Sequence, residues 1–205
     1  MSFKEKVKQN EKLKKLALWL IHPPYRPQPR LWVKLFWNPF IHKRHSKSHV
    51  SRRTRMDVFP YHGFEIGEWS VIEDFACISN GVGDVIIGKR SRVGVGNTVI
   101  GPIRIGNNVS IAQNVVFSGL NHAYEDIDKA PMDQACPTDE IVIGDDCWIG
   151  ANSVITAGVE LGKHVIVAAG CVVTKSIPPY SVVVGNPARI LKQYNCNTKA
   201  WERVA

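Results

Sequence analysis

An aliphatic residue followed by a small one recurs every six positions through most of this chain. Ile66-Gly67, Ile72 and Ile78-Ser79 open the series. After a three-residue insertion it resumes at Ile87-Gly88 and runs through Val93-Gly94, Val99, Ile105-Gly106 and Ile111-Ala112 to Phe117-Ser118. A second unbroken run passes from Ile143-Gly144 through Ile149-Gly150, Ile155-Thr156, Leu161-Gly162 and Val167-Ala168 to Val173-Thr174. Four places after the aliphatic residue stands a compact one: Ser70, Ala76, Ser91, Val109, Cys147, Ser153, Val165, Cys171. A period of six fits neither an α-helix nor a β-hairpin. It predicts a mainly-β chain wound as a parallel β-helix, a triangular prism in which each hexad forms one short strand and one corner. The aliphatic side chain fills the interior, where β-branched residues suit short strands, and the small residue is expected to let the chain turn at the corner. Fifteen such hexads make about five coils, enough for each to bury its neighbours.

The rhythm stops once at length, between Gly119 and Asp139, in GLNHAYEDIDKAPMDQACPTD. A smooth prism has flat faces and no pocket, whereas a loop thrown out from one coil reaches a neighbouring surface and walls off a cleft. Long loops in compact domains are usually functional. His122 sits near the base of this one, where a rigid coil still controls its position. Glu125, Asp126 and Asp128 follow it. They are read as solvated loop acids, with orientation of the ring or binding of hydroxyls as the alternative.

Three regions result: a basic, aromatic extension over 1–60, a β-helix domain over 61–190 carrying the loop 119–139, and a tail over 191–205. Residues 1–55 hold fifteen Lys and Arg against two acids, while the rest, with eleven against sixteen, is close to balanced. Such asymmetry predicts a basic appendage that meets something anionic, or simply the solvated face of a helix. Phe3, Val7, Leu13, Ala17 and Leu20 fall near one helical face with lysines on the others, and Pro23 and Pro24 end that helix. RLWVKLFWNPF then mixes aromatics with cations. The reading for this head is a cap on the open end of the prism. A peripheral membrane contact and, more weakly, nucleic-acid binding are the alternatives.

Five cysteines without a CxxC pair argue against a zinc ribbon and a disulfide framework, which points to a reducing, cytoplasmic compartment. Cys77, Cys147 and Cys171 lie within the repeat and read as core packing, and Trp148 is expected to point outward. No secretory signal is evident, and no run approaches the roughly 18–20 apolar residues that span a bilayer. The expected location is the cytoplasm, with the inner face of a membrane as a peripheral site.

Three motifs narrow the function: IGNNVSIAQNVVFSGLNH, IGDDCWIGANSVI, and the ending AAG…VTK…IPP…GNPAR. Over roughly Ile66 to Lys192 they make the chain resemble the hexapeptide-repeat acyltransferases, and among these it is most similar to the sugar O-acetyltransferases. The resemblance implies a left-handed β-helix, a homotrimer, and acetyl-CoA as donor in the groove between neighbouring prisms. It implies that His122 is the catalytic base. It matches Ala151 and Ala169 to places where the main chain meets the pantetheine arm, and Thr174 and Lys175 to the nucleotide end. Arg189 and Lys192 match the cations that meet phosphate. Two departures stand out. Ala123-Tyr124 follows the histidine where the family often has proline, and the acceptor-binding asparagine has no clear counterpart, Asn97 being nearby but out of register.

Acyl transfer from a thioester needs no nucleophilic side chain and no metal, because the donor is already activated. It needs a base that takes the acceptor's proton, and imidazole, with an ordinary pKa of about 6.5, serves at working pH for about 10²–10⁴-fold. A backbone N–H would hold the oxyanion. The leading expectation is an O-acetyltransferase acting on a sugar, with surface-polysaccharide biosynthesis as its setting. A small xenobiotic acceptor and a non-catalytic β-helix scaffold are the alternatives. A zinc carbonic anhydrase site needs closely spaced histidines, and His122 and His164 are far apart. A sugar nucleotidyltransferase adds a glycine-looped nucleotide domain, for which residues 1–60 are too short.

Overall fold

The computed structural model describes residues 10–23 and 26–204, and among them the hexads stack as the period requires. Three sheets form the faces of a left-handed prism. One carries Phe64–Ile66, Val85–Ile87, Ile103–Ile105, Ile141–Ile143 and Glu160–Leu161 in parallel register. Its inward residues make one column, Ile66, Ile87, Ile105, Ile143 and Leu161. The second face stacks Ile72, Val93, Ile111, Ile149, Val167 and Val183. The third stacks Ile78, Val99, Phe117, Ile155 and Val173. Every member is at most 2% exposed, so each aliphatic hexad position is core. Burial of that kind contributes roughly 1.5–3 kcal/mol per side chain, against which the chain sets the entropy of ordering very short strands.

The compact residues are interior too: Ser70, Ala76, Ser91, Val109, Cys147, Ser153, Val165 and Cys171 are all buried. The small residue that follows the aliphatic one has a different task from the one expected. Corners turn two places further on, where Trp69, Phe75, Asn108, Asp146 and Asn152 take φ between 55° and 62°. A side chain at Gly67 fails for another reason, since a Cβ there would lie 2.6 Å from the carbonyl carbon of Gly88 in the next coil. The small residue therefore permits the coils to stack at the strand spacing of about 4.8 Å, and asparagine, aspartate and other residues tolerate the left-handed corner.

The prism also begins before the hexads do. Lys43–Arg44, His49–Val50 and Arg55–Asp57 pair with the strands of the next coil, giving six coils in place of about five. Arg44, Val50 and Met56 occupy the column positions of this first coil. An end coil has a neighbour on one side only, so its columns escape the demand for an aliphatic residue. Above it, the π-helical turn Val33–Trp37 and the short helix Asn38–Ile41 cap the opening. Val33 is fully buried, the Asn38 amide donates to the Val58 carbonyl at 2.7 Å, and His42 stands edge-on to Phe64. The cap reading thus holds for this segment. It does not extend to the helix Glu11–Ile21, which Asn10 caps and which buries no residue; Phe3, Val7 and Pro24 lie outside the described residues.

At the other end Ser181–Val184 joins the second face in parallel, then Arg189–Asn195 and Ala200–Arg203 add antiparallel strands. Most of the segment read as a tail is therefore a hairpin. It is pinned by aromatic contacts among His164, Tyr180, Tyr194 and Trp201.

Candidate active site at the extruded loop

Ile87 to Ile105 and Ile143 to Leu161 are each eighteen residues apart, one coil, but Ile105 to Ile143 is thirty-eight. The extra twenty leave the third face after Val116–Ser118, whose Phe117 is fully buried. They leave as a two-stranded ribbon. Asp139 N–H donates to the Gly119 carbonyl at 3.0 Å, Asn121 N–H to Pro137 at 2.9 Å, and Ala123 N–H to Ala135 at 2.8 Å, with Leu120 bridging Thr138. His122 and Cys136 therefore oppose each other between hydrogen-bonded pairs, where antiparallel side chains come closest. Cys136 Sγ lies 3.4 Å from His122 Nδ1, which leaves Nε2 facing outward without a partner among the described residues.

The loop acids do not touch the ring. Glu125 accepts from Tyr124 N–H at 2.9 Å. Asp126 holds Lys129 at 2.6 Å and accepts from Asp128 N–H at 3.1 Å, while the Gln134 amide ties Asp126 to Lys129 across the tip. These acids build the loop's own turns, as solvated loop acids do. Cys136 is the ring's neighbour that the sequence does not reveal. Its signal is that 122 and 136 are equidistant from residue 129, a relation with meaning only once the loop is known to pair with itself.

Thr156 continues the third face one coil beyond Ser118, and Thr174 and Lys175 follow Val172–Val173 one coil further along that edge. Ala151 and Ala169 occupy the other edge of the same face on consecutive coils, where Ala151 carbonyl accepts from Gly170 N–H at 2.8 Å. Arg189 and Lys192 come from the hairpin strand laid against Ser181–Val184. Lys175 and Arg189 are exposed and Lys192 is partly so, and none of the three has a carboxylate partner among the described residues. The candidates thus gather on one face and its neighbouring hairpin, but His122 contacts none of the others within one chain. Clefts among the described residues lie at the head, lined in part by Arg26, Arg30 and Lys34, and at the C-terminal hairpin, lined in part by Tyr194 and Glu202.

Other chemistry recedes. Burial pushes the Cys147 thiol up to about 11, which keeps it protonated and inert. Asn97 is buried, with its Oδ1 accepting from Val115 N–H at 2.6 Å, so it serves the interior and no acceptor. Among the described residues no cluster of three metal-ligating side chains occurs.

Known proteins share this architecture. The family model described as hexapeptide repeat of succinyl-transferase matches residues 84–117 and 140–175. Galactoside O-acetyltransferase of Escherichia coli K12 is 30% identical over 178 residues, 85% of this chain and 84% of its own. This chain belongs to the hexapeptide-repeat acetyltransferases. A maltose O-acetyltransferase from Clostridium difficile 630 superposes with a TM-score of 0.50 at 26% identity, over 91% of this chain and 87% of that one. AntD, an N-acyltransferase from Bacillus cereus solved with dTDP and 3-hydroxybutyryl-CoA, shares the fold with a TM-score of 0.65 at 20% identity, over 77% and 85%. Membership makes the chain an acyltransferase enzyme of left-handed β-helix fold.

Proposed function

We propose that this enzyme moves an acetyl group from acetyl-CoA to a sugar hydroxyl, with His122 as general base, in a homotrimer whose clefts lie between neighbouring prisms. The observation that carries the reading is the ribbon. It presents one imidazole at the prism edge, with Nδ1 against Cys136 and Nε2 free. With Nδ1–H donating to Sγ, the lone pair of Nε2 takes the acceptor's proton. The hydroxyl oxygen attacks the thioester carbon, and the resulting oxyanion is held by a backbone N–H. Its collapse breaks the C–S bond, and the departing CoA thiolate takes the proton back from the imidazolium. Ala151 and Ala169 offer main chain to the pantetheine arm without bulk in the way. Thr174, Lys175, Arg189 and Lys192 meet the phosphates as charge-assisted donors. The names of the galactoside and maltose enzymes support a sugar acceptor and an oxygen nucleophile. The same reading sets the enzyme in surface-glycan synthesis at the inner face of a membrane, with a peripheral contact through its basic head.

The test is to incubate the full chain with acetyl-CoA and a panel of neutral sugars, amino sugars and macrolides, following free thiol and the acetylated product. An ester on a neutral sugar is expected. Release with amines alone, or with no sugar, overturns the O-acetyltransferase reading. A monomer by sedimentation that retains full activity overturns the shared cleft.

A further inference from the structure

The head carries apolar surface that nothing among the described residues covers. Trp32, Phe36 and Phe40 follow one another at intervals of four along the helical segment that caps the prism, with Leu31 and Leu35 beside them. Leu31 is 70%, Phe36 71% and Phe40 87% exposed, while Val33 and Asn38 of the same segment are turned into the cap. The helix Glu11–Ile21 is tied to this segment. Trp32 Nε1–H donates to the Leu20 carbonyl at 3.2 Å, Arg30 Nε–H donates to the Trp19 carbonyl at 3.0 Å, and the Arg30 guanidinium lies 4.8 Å over the Trp19 ring. Beside the apolar stripe is a cleft lined by Pro23, Arg26, Gln28, Pro29, Arg30, Leu31 and Lys34, three cations with no carboxylate. Over residues 10–55 twelve Lys and Arg stand against Glu11 alone.

We infer that this face docks on an anionic phospholipid bilayer, with the stripe of Trp32, Phe36 and Phe40 in the interface and Arg26, Arg30 and Lys34 on lipid phosphates. The inference deepens the membrane contact of the proposed function and does not depend on the role of His122. Apolar aromatic side chains flanked by cations are what an interface of acyl chains beneath negative headgroups rewards, and indole rings favour that depth. A second copy fits worse. The face would meet itself with cations opposite cations and no acid within it to answer them. Docking also leaves the catalytic ribbon accessible. The ribbon departs from the fourth strand of the third face, three coil spacings or about 14 Å from the first coil.

The experiment is flotation of the full chain with vesicles of phosphatidylcholine alone or mixed with phosphatidylglycerol, at low and high salt. Two variants accompany the wild type, Leu31→Ser/Phe36→Ser/Phe40→Ser and Arg26→Gln/Arg30→Gln/Lys34→Gln, with thermal melts to show that they fold. The wild type is expected to float with anionic vesicles and to bind less at high salt. The apolar variant should bind about tenfold more weakly or worse. The charge variant should lose the preference for phosphatidylglycerol. Both should release CoA with a water-soluble acceptor at the wild-type rate. Wild-type protein that does not float, or an apolar variant that floats as well as wild type, overturns the inference. So does an apolar variant that sediments as a smaller assembly, since the face then belongs to a second copy. Docking without turnover by any of the proteins would instead defeat the acetyltransferase reading and leave the docking surface standing.

Discussion

Replacing His122 by alanine separates a catalytic role from a structural one, because the two predict very different magnitudes. The side chain is exposed, and its partner among the described residues is Cys136 Sγ, 3.4 Å from Nδ1. The ribbon around it is held by main-chain bonds that alanine keeps. Stability should therefore change by less than about 0.5 kcal/mol, a shift in Tm of about 2 °C or less for a chain of this size. Affinity for CoA should be nearly unchanged, since the residues proposed to meet the donor lie on other coils. Turnover is another matter. Loss of a general base lowers kcat by about 10²–10⁴-fold, or about 2.7–5.4 kcal/mol of barrier. Free thiol released from acetyl-CoA, measured from acid to alkaline pH with a sugar that the wild type accepts, reads this directly. Cys136→Ala offers a second axis. Removing a weak hydrogen bond that orients the ring should lower kcat by about 2- to 12-fold, and the loss should vanish in the His122→Ala background. His164→Asn is the control, because His164 sits at a left-handed corner with φ 57° that asparagine tolerates. Near-normal turnover by His122→Ala would mean that the base is elsewhere and the loop is only a wall.

Lys175→Ala and Arg189→Ala should each raise the KM for acetyl-CoA several-fold with little change in kcat, and the effect should shrink at high salt; an unchanged donor KM in both would move the nucleotide end elsewhere. Gly88→Ala should destabilise the prism by about 1–3 kcal/mol, because its Cβ would lie 2.5 Å from the Gly106 carbonyl oxygen of the next coil. Gly170→Asn, with φ +71° and open space around it, should cost much less, and thermal melts of the two compare them. Burial holds the His42 imidazole below its ordinary pKa of 6.5, and neither ring nitrogen has a hydrogen-bond partner among the described residues. The unfolded chain then binds that proton first as pH falls, so stability is whole above about 6.5 and declines below it. His42→Phe should remove this part of the decline, and the difference in Tm from wild type should widen in its favour as the pH drops.

The interior of the prism was readable from residue order because its period is local. Eighteen residues return the chain to the same face, so Ile87 and Ile105, or Ile143 and Leu161, meet whatever surrounds them. The loop was readable for the same reason, as the one place where the return takes thirty-eight residues. Less was readable where position depends on stacking between distant segments. Arg44, Val50 and Met56 stand in register with the columns but without the hexad pattern, Arg44 exposed and the other two half-buried, because an end coil has a stacked neighbour on one side only. Gly67 is small for the sake of Gly88 a coil away, which no local corner rule discloses.

His122 shows the division most directly. Its place beside the one long interruption follows from residue order alone, since a break in a regular repeat is visible wherever the repeat is. Its neighbour does not follow. Three acids stand within six residues of it in the chain and turn instead into the loop's own bends, while Cys136, fourteen positions away, meets Nδ1. Proximity along the chain sets which residues share a turn, but cross-strand pairing sets which side chains face each other, and that pairing exists only once both halves of the ribbon rise from the same folded coil.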